Sequence, residues 1–421
     1  MEELRHRLRE EILSNMDFTS DQDVSDEGVW EHIDRAILRE CRNRTLSLDE
    51  KKHLRLSLFH SIRKLDVLQE LVDDPTITEI MVNGTQNLFV ERAGELFQLD
   101  AHFESREKLE DVVQQVVAGC NRVVNESSPI VDARLPNGSR VNIVLPPVAL
   151  NGPIITIRRF PEHPITMERL VAIGSIPGKL AEYLQTLVAA GYNIFVSGGT
   201  GSGKTTFLNA LSDSIPADER VITIEDNAEL QILHVPNLVR LETRNANVEG
   251  CREITIRDLI RSSLRMRPDR VIVGEVRGAE CLDMLQAMNT GHRSMSTGHA
   301  NSARDMMSRL ETMVLMGMDL PLSAIRGQIA AGIDIIVHLG RLRDRTRKLL
   351  EICELTGRTD PVTGEIELRP LFSFQETGVT EEGRIRGIWR KEQPLECTAK
   401  LSAAGRRLPE VADTEMPVGA A

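Results

Sequence analysis

Residues 194–213 hold the types and spacing needed to bind a chain of phosphates. Gly198-Gly199-Thr200-Gly201-Ser202-Gly203-Lys204-Thr205-Thr206 is a glycine-rich loop closed by a lysine and two hydroxyls. Glycines let the backbone turn tightly and aim its N–H groups inward at phosphate oxygens. Lys204 adds a point charge for the β- and γ-phosphates, and the Thr205 hydroxyl suits Mg²⁺. Ile194, Phe195 and Val196 read as a buried strand before the loop. Phe207, Leu208 and Leu211 give the segment after it a helical apolar face, so the phosphates would sit at a helix N-terminus. The chain is therefore expected to bind a nucleoside triphosphate. A glycine-rich turn matching by chance would not bring both the strand and the helix.

Hydrolysis needs carboxylates for metal and water, and cations for the transferring phosphoryl group. Val271-Ile-Val-Gly-Glu275 is an apolar run ending in an acid, as expected of a strand beside the phosphate loop. Ile222-Thr-Ile-Glu225-Asp226 repeats the arrangement, with Glu229 three residues further on. Glu275 is read as the group that polarises water, with Glu229 beside it, and Glu225 and Asp226 as Mg²⁺ ligands. The polar segment Asn289–Asn301 carries His292 and His299, both read as catalytic, with His299 the sensor of the γ-phosphate. These two histidines alone are an incomplete zinc ligand set.

These groups need elements to position them. Leu54, Leu58, Ile62, Leu65, Leu68 and Val72 recur every three or four residues, an amphipathic helix ending at Asp74-Pro75. Short strands are expected at 79–83, 88–91 and 96–99, a helix over 105–123, and strands near 141–145 and 154–159. The turn Pro136-Asn-Gly138 is placed between helix and sheet. From 178 onward strands at 221–225, 271–275, 294–299 and 333–337 alternate with helices near 255–266, 278–290, 302–317 and 321–332. Such alternation marks a mostly parallel sheet covered on both faces. The expected division is a helical extension (1–74), an α+β domain (75–160), a linker (161–177) stiffened by Pro161 and Pro164, an α/β domain (178–345) and a C-terminal extension (346–421) with a frayed tail. Residues 349–355 are one more candidate strand.

The chain has 421 residues, 41% hydrophobic and 27% charged, the balance of a soluble globular protein. No apolar run approaches a membrane span, and the charged N-terminus lacks a signal core, so a cytoplasmic location is expected. A net charge of −12 argues against direct nucleic-acid binding. Six scattered cysteines, without a CxxC pair, argue against a metal site or a disulfide framework.

In this order the motifs resemble those of the secretion-superfamily ATPases, the motors of type II and type IV secretion and of type IV and tight-adherence (Flp) pili. Glu79-Ile-Met-Val-Asn-Gly84, Pro129–Asn142, Thr156-Ile-Arg-Arg-Phe160, Arg265-Met-Arg-Pro-Asp-Arg270 and Glu275-Val-Arg-Gly-Ala-Glu280 are similar to the tight-adherence branch. The resemblance covers roughly residues 70–400. It implies a RecA-like P-loop ATPase domain joined to a smaller α+β domain, with ATP and Mg²⁺ as cofactors. It also implies a homo-hexamer that works on an inner-membrane platform protein and meets the membrane only through partners. Arginines of the smaller domain are implied to approach the phosphates: Arg158 in catalysis, Arg140 and Arg159 in binding, with Arg134 at a matching position. Arg158 and Arg159 are adjacent on a strand, so they should point to opposite faces and one should miss the nucleotide. Arg240, Arg244, Arg257 and Arg265 are further candidates.

One departure stands out. The histidine segment is one residue shorter than in the relatives, with only Arg293 between His292 and Ser294. The readings that follow are a pilus-assembly or type II-like secretion motor, a type IV secretion motor with the same catalytic residues, and an ATP-binding scaffold that turns over slowly. The basic stretch Arg341–Lys348 and residues 1–70 are candidate partner surfaces.

Overall fold

A computed structural model describes residues 1–16, 25–42, 44–92, 94–120, 123–159, 164–244, 252–381 and 383–415. They fall into two compact units, Met1–Glu162 and His163–Ala421. Most of the expected linker start, Phe160–His163, lies outside the described residues, as do Cys251 and the last six residues of the tail.

The first unit opens with helices α1 (Glu2–Asn15), α2 (Asp26–Glu40) and α3 (Leu48–Arg63). Leu8, Ile12, Val29, Ile33, Leu54 and Leu58 meet in a small core of their own. Ser47 and Glu50 cap α3 reciprocally. The single helix expected over Leu54–Val72 is two, because α4 (Val67–Asp73) begins after a break where Asp66 takes φ 52°. Leu54 and Leu58 enter the three-helix core, whereas Leu65, Leu68 and Val72 enter the next one. The apolar period runs on across the break because both helices bury leucines.

Strands β1 (Ile77–Asn83), β2 (Asn87–Arg92), β3 (Glu95–Leu99), β4 (Ile130–Arg134), β5 (Arg140–Val144) and β6 (Ile154–Arg158) pair antiparallel in the order β3-β2-β1-β6-β5-β4. Helix α5 (Arg106–Ala118) sets Val112, Val113 and Val116 against Ile80, Val82, Val141, Ile143, Ile155 and Ile157. β4 is not among the expected strands. It turns only Val131 and Ala133 inward, too short an alternation to register as a period. The Pro136-Asn-Gly138 turn therefore joins β4 to β5 rather than a helix to the sheet.

The second unit runs α6 (Met167–Ala172), α7 (Gly178–Ala189), β7 (Ile194–Gly198), α8 (Lys204–Ser212), β8 (Val221–Glu225), β9 (Leu238–Glu242), α9 (Ile256–Ser263), β10 (Arg270–Val273), α10 (Glu280–Asn289), β11 (Arg293–His299), α11 (Ala303–Gly317) and α12 (Leu322–Gly332). It continues with β12 (Ile335–Arg341), β13 (Arg347–Thr359), β14 (Ile366–Val379), β15 (Ile385–Lys391), α13 (Ala399–Ala403) and β16 (Thr414–Glu415). Its 10-stranded sheet has the order β16-β15-β14-β13-β12-β7-β11-β10-β8-β9. The six strands from β12 to β9 are parallel, and β13 to β16 add an antiparallel wing. Ile194 and Val196 face a core shared with α6, α7 and α8, while Phe195 faces one shared with α9 to α12. Met167 and Leu170 of α6, in the stretch read as a linker, are buried in the first of these cores. No helix among the described residues is long and apolar enough to cross a membrane.

Candidate nucleotide site

The phosphate loop leaves the C-terminal end of β7 and enters α8. Its last residue before the helix, Gly203, takes φ 90°, a left-handed conformation that a side chain would resist. Ser202 Oγ and Lys204 Nζ both donate to the Gly199 carbonyl, at 2.8 and 3.0 Å, and fix the bend. Gly199, Thr200 and Gly201 are exposed at the tip, while Thr205 and Thr206 lie half-buried in the first turn of α8. An eight-residue-plus helix whose free N–H groups open onto such a loop favours an anion there.

Three neighbouring strand ends bring the remaining groups alongside. β11 pairs with β7 so that His299 stands opposite Gly198. β10 pairs with β11 and with β8, and Gly274 N donates to Ile224 O at 2.9 Å just past the end of that pairing. Thr297 Oγ1 donates to Gly274 O at 2.8 Å and Val276 N donates to Thr297 O at 2.9 Å, which pins Glu275 between the two flanking strands. Gly274 has to be small, since a Cβ there would stand 2.8 Å from Glu225 Cγ.

Lys204, His299 and Glu275 form one line. Lys204 Nζ lies 3.3 Å from His299 Nδ1, and His299 Nε2 lies 3.2 Å from Glu275 Oε1. An ammonium can only donate, so Nδ1 accepts, and the Nε2–H then donates to the carboxylate. That tautomer requires a neutral imidazole. Burial, and next the Lys204 charge, lower the His299 pKa and hold the ring in that form. Burial likewise lowers the pKa of Lys204, with Glu275 opposing.

Glu225 is only 3% exposed, and burial pushes its carboxyl up to about 7. Oε1 accepts from Glu229 N and Leu230 N at 2.9 and 3.0 Å, so Glu225 shapes the loop that carries Glu229. Its Oε2 is buried without a partner. Asp226 is ion-paired with Arg277 and accepts from Thr243 Oγ1 at 3.3 Å. Among the described residues no group of three or more His, Cys, Asp and Glu could hold a metal by itself. Mg²⁺ takes one or two protein oxygens and completes its shell with phosphate and water. The Thr205 hydroxyl and the Glu225 and Glu275 carboxylates fit that demand, and the orphaned Oε2 is the atom that a cation or water would satisfy. Asp226 is already engaged.

Several expected residues lie elsewhere. His292 precedes β11 at its other end, where its ring contacts Thr290 Oγ1 at 3.2 Å and Ala287 O at 3.3 Å. The expected pairing of His292 with His299 in one site is not met, because a seven-residue strand separates them. The short histidine segment thus falls at the far end of β11 and leaves His299 in register with Gly198.

In the first unit, Arg134, Arg140 and Arg158 are cross-strand neighbours on β4, β5 and β6, and therefore share the face opposite the valine-rich core. Glu79 extends the row, 3.9 Å from Arg158, and Asp132 stands 3.6 Å from Arg140. Arg159 differs. Its guanidinium donates to the carbonyls of Asp74 and Ile77, so its expected role in nucleotide binding gives way to a backbone tie within its own unit. In the second unit, Arg257 is paired with Asp283 at 2.6 Å, Arg244 donates to Arg252 O at 3.2 Å, Arg265 is exposed, and Arg240, also exposed, is near enough for its charge to oppose the rise in the Glu225 pKa.

Two residues at the loop escape the sequence reading. His338, on β12, lies 2.8 Å from Ser197 Oγ and is held neutral by burial. A histidine inside the apolar run Ile335-Ile-Val-His338-Leu was its signal. Arg347, from the basic stretch read as a partner surface, donates from Nε to Gly201 O at 2.9 Å.

Residues 62–414 match the family described as type II/IV secretion system protein. A putative conjugal transfer protein of Mycobacterium tuberculosis is 36% identical over 307 residues, covering 70% of this chain and 87% of that one. The type IV secretion system protein VirB11 of Brucella suis is 34% identical over 304 residues, covering 65% of this chain and 84% of that one. The solved structure of the Yersinia pseudotuberculosis ATPase DotB aligns at 20% identity with a TM-score of 0.51, covering 68% of this chain and 77% of that one, a likeness of fold.

Proposed function

The chain belongs to the type II/IV secretion system protein family, with a RecA-like ATPase domain, and from that premise we propose that it is an ATP-hydrolysing motor working as a homo-hexamer. The observation that carries the reading is the line Lys204–His299–Glu275 at the mouth of the phosphate loop. The loop N–H groups and Lys204 bind the β- and γ-phosphates. Glu275 orients and polarises the attacking water, and accepts its proton. His299 links the two, so that movement of Lys204 onto the γ-phosphate is felt by the carboxylate. Glu225 holds the Glu229 loop. Mg²⁺, held by Thr205 with Glu225 or Glu275, would neutralise charge on the phosphates. Arg140 and Arg158 supply further cations during turnover, a role that contributes 10³–10⁵ in rate in other NTPases.

The work done is export or assembly through an inner-membrane platform protein at the inner face of the plasma membrane, with a tight-adherence pilus or type II-like secretion as one reading and type IV secretion as the other. The type IV reading is favoured by the names of the relatives, which are conjugal transfer and type IV secretion proteins. The slow scaffold loses its support, since the shortened segment lies away from the phosphate loop. Phosphate release by the full chain with Mg²⁺ and ATP tests the reading. Loss of turnover in Glu275→Gln with ATP binding retained supports it, and undiminished turnover in that variant overturns it.

A further inference from the structure

We infer that the hairpin joining β12 to β13 is an arm of the nucleotide site supplied by the same chain, with Arg347 positioning the phosphate loop and Arg341 adding a cation beside it. The inference rests on the reading of that loop as a nucleotide site, and it reassigns part of the basic stretch Arg341–Lys348.

The arm is registered to the loop. β12 pairs with β7 as far as Leu339 opposite Gly198, so the hairpin starts where the loop starts. Arg341 and Arg347 are cross-strand partners and share one face of the arm. That face meets the loop. Arg347 Nε donates to Gly201 O at 2.9 Å, and Arg347 Cδ lies 3.4 Å from where a Cβ on Gly203 would stand. Arg341 Nη1 lies 3.8 Å from the same imagined atom on Gly201. Among the described residues Arg341 has no hydrogen-bond or ion-pair partner, whereas Arg343 on the same hairpin is paired with Glu376.

The arm is also stiff. Asp344 accepts from Thr346 N at 3.0 Å, Thr346 Oγ1 at 2.7 Å and Ile385 N at 2.8 Å. Buried Lys348 donates to Gly174 O at 2.6 Å. A charged donor on a loop carbonyl fixes the peptide plane on either side of it, and with it the aim of the neighbouring N–H groups that must meet phosphate. An unpaired guanidinium next to that loop lowers the cost of bringing a polyanion there, in a way that salt screens.

Binding of a fluorescent N-methylanthraniloyl-ATP, and of its ADP counterpart, to the full chain tests this, with thermal unfolding without nucleotide as the check on folding. Arg347→Gln should weaken both nucleotides about tenfold, the size of one lost charge-assisted hydrogen bond. Arg347→Lys should recover most of the loss. Arg341→Gln should weaken both by about threefold at low salt, with the difference vanishing at high salt. Arg343→Gln should bind as the parent does. Parent-like affinity in folded Arg347→Gln and Arg341→Gln overturns the inference, and should Arg347→Gln not fold, Arg341→Gln decides. Lys204→Ala separates the two levels: if it too binds normally, the nucleotide site itself is misplaced; if it alone loses binding, only the arm falls.

Discussion

Lys204, His299 and Glu275 are far apart in the chain, yet a strand register of single residues brings them into line. His299 reaches Lys204 because β11 sets it opposite Gly198, and Glu275 reaches His299 because β10 is the next strand. Replacing His299 by Ala should lower turnover about a hundredfold with ATP affinity little changed, as loss of one proton-handling or orienting contact does. His292→Ala should leave turnover within about twofold, since among the described residues its ring bonds to Thr290 and Ala287, away from the phosphate loop. Steady-state phosphate release on both variants checks this. Because the His299 pKa lies below its ordinary 6.5, turnover should hold from neutral pH downward until that lowered value is passed, where a protonated ring can no longer accept from Lys204.

Glu225 makes the opposite prediction for stability. Its carboxyl is raised from 4.5 to about 7, so between those values the folded chain keeps a proton that the unfolded chain releases. Its contribution is full below pH 4.5 and is lost as pH rises through 7. Glu225→Gln should therefore flatten the decline of the thermal midpoint over that window, measured by scanning unfolding from pH 5 to 8. A parent and variant with parallel profiles would show that Glu225 is already ionised at neutral pH.

Among the elements, the strand ends opposite the nucleotide loop are tied by a cluster around the buried Glu219. Arg270 on β10 is fully buried and donates to Glu219 at 2.8 and 3.1 Å, and Arg293 on β11 joins the same carboxylate at 2.5 Å. Glu219→Ala leaves Arg270 as an uncompensated buried charge and should cost about 3–5 kcal/mol. Denaturant unfolding of the variant measures it. Most of the parallel half of this sheet was legible in the sequence because strands such as β7, β8 and β10 are buried on both faces and read as short, mainly apolar runs, whereas the edge strand β9, only partly buried and carrying Arg240, was not read. The antiparallel wing was less so. Of β13, only the stretch Leu349–Leu355 was read as a candidate. β14 shows no regular alternation of buried and exposed residues and contains Pro370, which sits at a register shift opposite Cys353. Those features blur a strand signal that tertiary pairing then restores. β4 was lost for the same kind of reason, with two inward residues too few to show a period.

The site divided along a similar line. The loop, Glu275, Glu225 and His299 were legible because strand ends in an α/β sheet deliver them in chain order. The placement of His292 at the far end of β11 was not legible, because proximity in sequence to His299 is length along a strand, not closeness in space. The contact of Arg347 with Gly201 was not legible because only the turn of a hairpin brings that basic stretch back onto the loop. Arg159 was correctly expected to part from Arg158, and its guanidinium is spent on backbone carbonyls.

In the proposed motor, the Lys204–His299–Glu275 line belongs to one unit and the Arg134–Arg140–Arg158 row to the other. Arg140→Gln and Arg158→Gln should each lower turnover by at least tenfold while leaving nucleotide binding near that of the parent, because the loop and Lys204 are untouched. Mg²⁺-dependent ATP hydrolysis measured against protein concentration, with mass read in parallel by light scattering, is the sharpest test of the proposed motor. Specific activity should rise as the chain assembles into a hexamer and should be lost in Lys204→Ala and Glu275→Gln. Full activity in a monomer, or undiminished activity in either variant, would contradict it.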